Sequence, residues 1–176
     1  MSPRKLPEFK PLPAPQAEFL SSRRERVSAL FPSYLELRER LLELGGIEVV
    51  LPRYDEYSQA EQQRQAYDVM AVLQRGQTWD GADAALERGE ANGCHTNVAR
   101  LARAARGSII SGWALAADGL WREHSWLLAA QPSAQAELIE TTEAWLLYHG
   151  YRLDLRETGW FIRDELGPDA TAPGAA

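Results

Sequence analysis

The sequence predicts an α+β fold, with a helical N-terminal part followed by a helix packed on an antiparallel β-sheet. Three observations carry it. Apolar residues recur at helical spacing through most of the first half. A further amphipathic helix begins at the single cysteine, Cys94. The segments after that helix alternate with the period of strands and are separated by turn residues. A chain of 176 residues, 45% hydrophobic and 25% charged, can bury one core without disulfides or metals. One globular domain is therefore expected over 16–166, divided into a helical part (16–90) and a core that carries the chemistry (91–166).

The ends read differently. Five prolines between Pro3 and Pro15 remove backbone donors and favour extended chain, so 1–15 is expected to be a flexible arm. Pro168, Pro173 and small residues give 167–176 the same reading. Within the domain, helices are expected over Gln16–Leu30 and Ser33–Leu44, the second with Leu35, Leu41 and Leu42 inward and Gly45-Gly46 as its stop. Ile47–Leu51, ended by Pro52, reads as a short strand or extended link. Gln59–Gln74 reads as a helix that buries Ala66, Val69, Met70, Val72 and Leu73, and Asp80–Glu87 as a short helix ending near Gly89. Cys94–Arg106 is a helix closed by Gly107. Strands follow over Ser108–Ala116, Leu120–Ala129 and Ala136–Thr141, with turns at Asp118-Gly119 and Pro132-Ser133. Tyr148–Leu155 adds a strand and Trp160–Leu166 a short helix.

Composition removes several classes of function. A net charge of -6 and a pI near 5.2 argue against nucleic-acid binding, which needs surplus Lys and Arg against phosphate. No apolar run is long enough to span a bilayer and no signal-peptide core precedes the domain, so a cytoplasmic protein without a membrane partner is expected. The histidines and carboxylates lack metal-ligand spacing and Gly45-Gly46 ends a helix rather than opening one, so neither a metal nor another cofactor is expected. One cysteine forms no internal disulfide; any chemistry at Cys94 is thiol chemistry.

At the first turn of a helix, unsatisfied N–H groups and the positive end of the dipole favour thiolate over thiol. Gly93 lets the chain turn into that helix and brings backbone N–H groups toward a substrate carbonyl. Strand alternation sends His124 and Trp126 to one face and Ser125 to the other, and makes His124 the candidate base. Glu140, on the next strand, is placed to fix the imidazole tautomer. Cys94, His124 and Glu140 are thus the candidate catalytic residues. Gly93, Asn97, Gln77, Trp79 and Trp126 are candidates for contacts to substrate or oxyanion. His95, about 100° round the helix from Cys94, reads as a packing or helix-face group, and His149 as a rival base.

The order helix-borne Cys, strand-borne His, strand-borne acid resembles that of papain-like folds. Asn92-Gly93-Cys94, Ile109-Ile110-Ser111-Gly112-Trp113-Ala114, His124-Ser125-Trp126 and Leu138-Ile139-Glu140-Thr141-Thr142 together resemble the transglutaminase-like branch of the papain-like cysteine peptidase superfamily. The resemblance covers about Asn92 to Tyr151. It implies a central helix on an antiparallel sheet, Cys94 as nucleophile, His124 as base and Glu140 in the place of the acid. It also implies action on a peptide or protein amide through a thioester, by hydrolysis or acyl transfer. The family's acid is usually Asp, so the longer Glu140 requires its strand to be set slightly farther from His124. Two alternatives stand beside this reading: a catalytically inactive interaction module that keeps the fold without turnover, and an effector that modifies other proteins by attacking their amides.

Overall fold

Among the residues that the computed structural model describes, 6–51, 58–130 and 137–170, the chain opens with α1 (Ala14–Leu30), α2 (Ser33–Leu44), β1 (Glu48–Val49) and α3 (Gln59–Arg75). Next come β2 (Gln77–Asp80), a 3₁₀ turn over Gly81–Asp83, and β3 (Ala84–Leu86). The second half holds α4 (Cys94–Arg103), β4 (Gly107–Leu115), β5 (Leu120–Ala129), β6 (Leu138–Glu140), β7 (Leu147–Arg152) and α5 (Leu155–Leu166). The start of the third expected strand at Ala136, the Pro132-Ser133 turn, Pro52 and the first and last few residues lie outside the described residues.

Local chemistry sets most boundaries. Ser58 caps α3 by accepting the Glu61 N–H, and the Glu61 carboxylate accepts the Ser58 N–H in return. Asp154 and Glu157 make the same reciprocal pair at α5. That capping box starts α5 at Leu155 rather than Trp160 and stops β7 at Arg152 rather than Leu155. Of the short helix expected over Asp80–Glu87 only the 3₁₀ turn Gly81–Asp83 forms. Residues 77–80 pair antiparallel with β7 and 84–86 pair parallel with β6, while Asp80 Oδ1 accepts from the Ala82 N–H to turn the chain between them. Strand pairing here satisfies backbone groups that a helix of about two turns would leave open. α4 ends at Arg103, and its closing left-handed residue is Ala105 (φ 55), so Gly107 begins β4 instead of stopping the helix.

The sheet is mixed rather than antiparallel. Its order is β2-β7-β4-β5-β6-β3, with β1 also paired to β5; β1 on β5 and β3 on β6 are parallel, and the other pairs are antiparallel. One edge of β5 pairs with β4 along its length. The other edge is shared, with Leu120 and Trp121 taken by β1 and Leu127 and Leu128 by β6. Arg122–Trp126 have no strand neighbour on that edge among the described residues.

Helices pack on one face of the sheet, where Leu37, Leu41, Val69, Val72, Val98, Ile109, Trp113, Trp121 and Phe161 share a core. A smaller core on the opposite face joins Ile110, Ala114, Trp126, Leu138, Trp145 and Tyr148. Successive residues of β4 and β5 alternate between the two. Two expected core residues, Leu35 and Met70, are exposed (39% and 42%), and Tyr34, Leu37 and Ala71 are buried instead. The expected flexible arm is packed where it is described: Leu6 and Phe9 lie on the helix-side core, Phe9 against Gly119, whose φ of 83 makes the β4–β5 turn. Ala170, assigned to the tail, is also buried there. No helix among the described residues is long and apolar enough to cross a membrane.

Candidate active site

α4 begins at the unpaired stretch of β5. His95 Nδ1 is 2.8 Å from Ser125 Oγ, and the His124 and His95 imidazoles both act on the Cys94 thiol to favour its ionised form. His124 and Ser125 point to opposite faces of the sheet, so two consecutive residues of α4 reach both only by meeting the strand at its free edge. The gap between β1 and β6 makes that approach possible.

His124 is buried and held on every side. Its Nε2 is 2.8 Å from Glu140 Oε2. The ring stacks on Trp126 (6.2 Å, 17°) and lies 4.8 Å from the Trp145 ring. Trp126 in turn crosses Gly150, where a Cβ would come within 2.7 Å of its ring. Glu140 satisfies both its oxygens: Oε1 accepts from the Thr141 and Thr142 N–H groups (2.7 Å each) and the Thr142 hydroxyl (2.9 Å), and Oε2 also accepts from the Tyr148 hydroxyl (3.0 Å). An ionised carboxylate only accepts, so His124 Nε2 donates and Nδ1 is left for the sulfur. The extra methylene of Glu140 is accommodated without loss of that bond.

The charges reinforce one another. Burial opposes ionisation of Cys94, but the contacts with His124 and His95 outweigh it and hold the thiol down at about 5. Burial likewise opposes protonation of His124, yet Cys94 and Glu140 push it up to about 9. Against burial, His124 and the Thr142 donors hold the Glu140 carboxyl below its ordinary range. Both shifts run in the direction that favours a thiolate beside an imidazolium, the pair acting as one titrating unit. His95, expected to be a packing group, is raised as well: burial lowers it, and Cys94, Glu123 and Glu165 more than compensate. Ser125 and the edge-on Phe161 ring fix its orientation.

The other candidates separate. Asn97 is buried with its amide spent on the preceding loop, Oδ1 accepting from the Glu90 N–H (3.0 Å) and Nδ2 donating to the Glu90 carbonyl (2.9 Å), so it is a loop clamp and not a substrate group. Gly93 caps α4 with ordinary φ (-105) and room for a Cβ; the left-handed turn residue is Asn92 (φ 58). Gln77 is exposed and pairs with Gly150, which pairs with Gly112, which pairs with His124. Three strand spacings, about 14 Å, therefore separate it from the base. Trp79 packs edge-on against Trp126 (5.8 Å), and both serve as the wall behind the imidazole. The rival base His149 is on the helix side, with Nδ1 2.9 Å from Thr78 Oγ1 and no contact to Cys94.

Among the described residues no side chain caps α4. Its first-turn N–H groups are therefore free of a capping oxygen next to the thiolate, where an oxyanion would form. Comparison of the chain with family models, with curated proteins and with solved structures found no match.

Proposed function

We propose that the protein is a cysteine-dependent amide hydrolase or acyltransferase working through a thioester, with Cys94 as nucleophile, His124 as acid and base, and Glu140 orienting His124. The observation that carries the reading is the held imidazole, with Nε2 on Glu140 at 2.8 Å and its other nitrogen left for a cysteine at a helix N-terminus. The Cys94 thiolate attacks the amide carbonyl, and the oxyanion forms beside the α4 N–H groups. The C–N bond then breaks as His124 Nδ1–H passes its proton to the departing amine, leaving a thioester and a neutral imidazole. Water or an amine attacks the thioester, gives its proton to His124, and expels the thiolate. Glu140 stays ionised throughout and stabilises each imidazolium. His95, held by Ser125, adds a second influence that favours the thiolate.

A peptide or protein amide is the substrate class, in line with the resemblance noted in the sequence. Intact-mass analysis after exposure to a library of electrophilic peptides tests this. One adduct is expected, on Cys94, absent in Cys94→Ala and slowed in His124→Ala, together with turnover of the matching peptide amides. A wild-type chain that forms no adduct overturns the assignment. A Cys94 adduct without turnover of any amide supports the interaction module instead.

A further inference from the structure

On the helix face of the sheet, residues of α3, α5, β4 and β7 line a cleft of ≈ 410 Å³ whose Phe161 packs edge-on against the His95 ring. Its floor is polar: Ser111 is 7% exposed, lines the cleft, and makes no side-chain hydrogen bond among the described residues. Beside it, the Tyr151 hydroxyl donates to Asp68 Oδ1 at 2.5 Å. The rim is aromatic, with Tyr67 and Trp160 each 45% exposed and Phe161 buried between the rim and the core. Large aromatic side chains left open around a polar floor are the composition of a pocket for a small ligand with one polar end.

The charges identify the sign of that end. Arg64 is paired with Asp164 at 2.6 Å, and Glu157 with Arg75 at 2.6 Å and with the Tyr67 hydroxyl. Asp68 is the lining carboxylate without an ion-pair partner among the described residues. The groups that face it are Tyr151, Arg64, Glu123 and His95; burial, helped by Glu123, pushes its carboxyl up to about 6 against the opposing pull of Tyr151, Arg64 and His95. The rings already attract cations: the guanidinium of Arg156 lies 4.5 Å above Trp160 and that of Arg64 5.7 Å from Phe161.

We propose that this cleft binds a primary ammonium on an apolar stem, with the charge on Asp68 and Ser111 and the stem against Tyr67, Phe161 and Trp160. Alkylamines and lysine side chains share that chemistry. The proposal goes beyond the thiol chemistry, and the site borders it: Ser111 lies directly across β4 and β5 from Ser125, the residue that holds His95.

Calorimetric titration of the whole chain with n-butylammonium, and separately with Nα-acetyl-lysine methylamide, tests the proposal. Saturable binding of one or both is expected, weakened at least about tenfold in Asp68→Asn, since a charge-assisted hydrogen bond is lost, and weakened in Trp160→Ala. Tighter binding of the lysine derivative assigns the natural ligand to a peptide, and tighter binding of butylammonium to a free amine. Equal binding of n-butanol, unchanged binding in Asp68→Asn, or no saturation at millimolar concentration overturns the proposal. Should Asp68→Asn fail to fold, n-butanol and Trp160→Ala decide it, because both leave the Asp68–Tyr151 bond in place. Saturable binding should persist in Cys94→Ala and Cys94 alkylation should persist in Asp68→Asn, which separates this test from that of the catalytic reading.

Discussion

Each face of the sheet buries a histidine, and the two respond to burial in opposite ways. His149, on the helix side, has a threonine hydroxyl as its hydrogen-bond partner; burial, helped by Arg40, pushes it down to about 4. His124, on the other side, is equally buried, but Cys94 and Glu140 reverse the effect and raise it to about 9. Desolvation acts alike on both, so the difference lies in the partners. A buried histidine is evidence of chemistry only when an acid and a nucleophile share its ring.

The largest break in this comparison is His124→Ala. Without the imidazolium the thiol should return toward its ordinary range and amide turnover should fall about 10²–10⁴-fold, the usual contribution of a positioned acid–base group. Iodoacetamide labelling at pH 6 and a peptide-amide assay would measure the two effects. Glu140→Gln should act next. It keeps the shape but removes the charge, so the alkaline limb of the activity profile should move from about 9 toward the ordinary imidazole range. Chemical denaturation should show about 2 kcal/mol lost with the charged hydrogen bonds.

The histidines also predict opposite slopes of stability with pH. His149 titrates lower in the folded state than in the unfolded one, so acid favours unfolding between the ordinary imidazole range and about 4, by up to about 3 kcal/mol. His149→Phe should flatten that limb in urea titrations at stepped pH without altering Cys94 labelling. His124 has the reverse sign: its raised value stabilises the fold below the ordinary imidazole range, and the contribution is lost as pH rises through about 9. The smallest effect is expected from His95→Gln, which keeps a donor on the same helix. The thiol midpoint should rise, but by less than in His124→Ala.

The part of the fold that was readable from sequence is the part built from ordered, local signals. Cys94 at a helix start, His124 on a strand and Glu140 on the next each announce themselves by neighbours within a few residues, and the structure brings the three together. Helical geometry places His95 about 100° from Cys94 as a packing group, and it does pack edge-on against Phe161; its bond to Ser125 is what the sequence does not reveal. Only the gap on the β5 edge, set by where β1 and β6 happen to end, lets both residues face the same strand. Asn97 looked available because its two bonds run to a loop whose path the sequence does not reveal. Asp80–Glu87 looked helical because its pairing partners, β6 and β7, lie far along the chain. The Asp154–Glu157 capping box, by contrast, was visible in the residues themselves and would have placed the start of α5.

The Asp68–Tyr151 pair joins residues 83 apart in sequence, and nothing in either neighbourhood signals the other. The cleft it floors belongs to the same class of feature as the His95 contact, made by topology and not by motif.

The central claim is that Cys94 and His124 form a thiolate–imidazolium pair, and the pH dependence of Cys94 alkylation by iodoacetamide measures it most directly. The rate should rise through a midpoint near 5 and stay high past 9, while amide turnover falls again as His124 loses its proton near 9. A single rise with a midpoint in the ordinary thiol range, the same in wild type and His124→Ala, would contradict it.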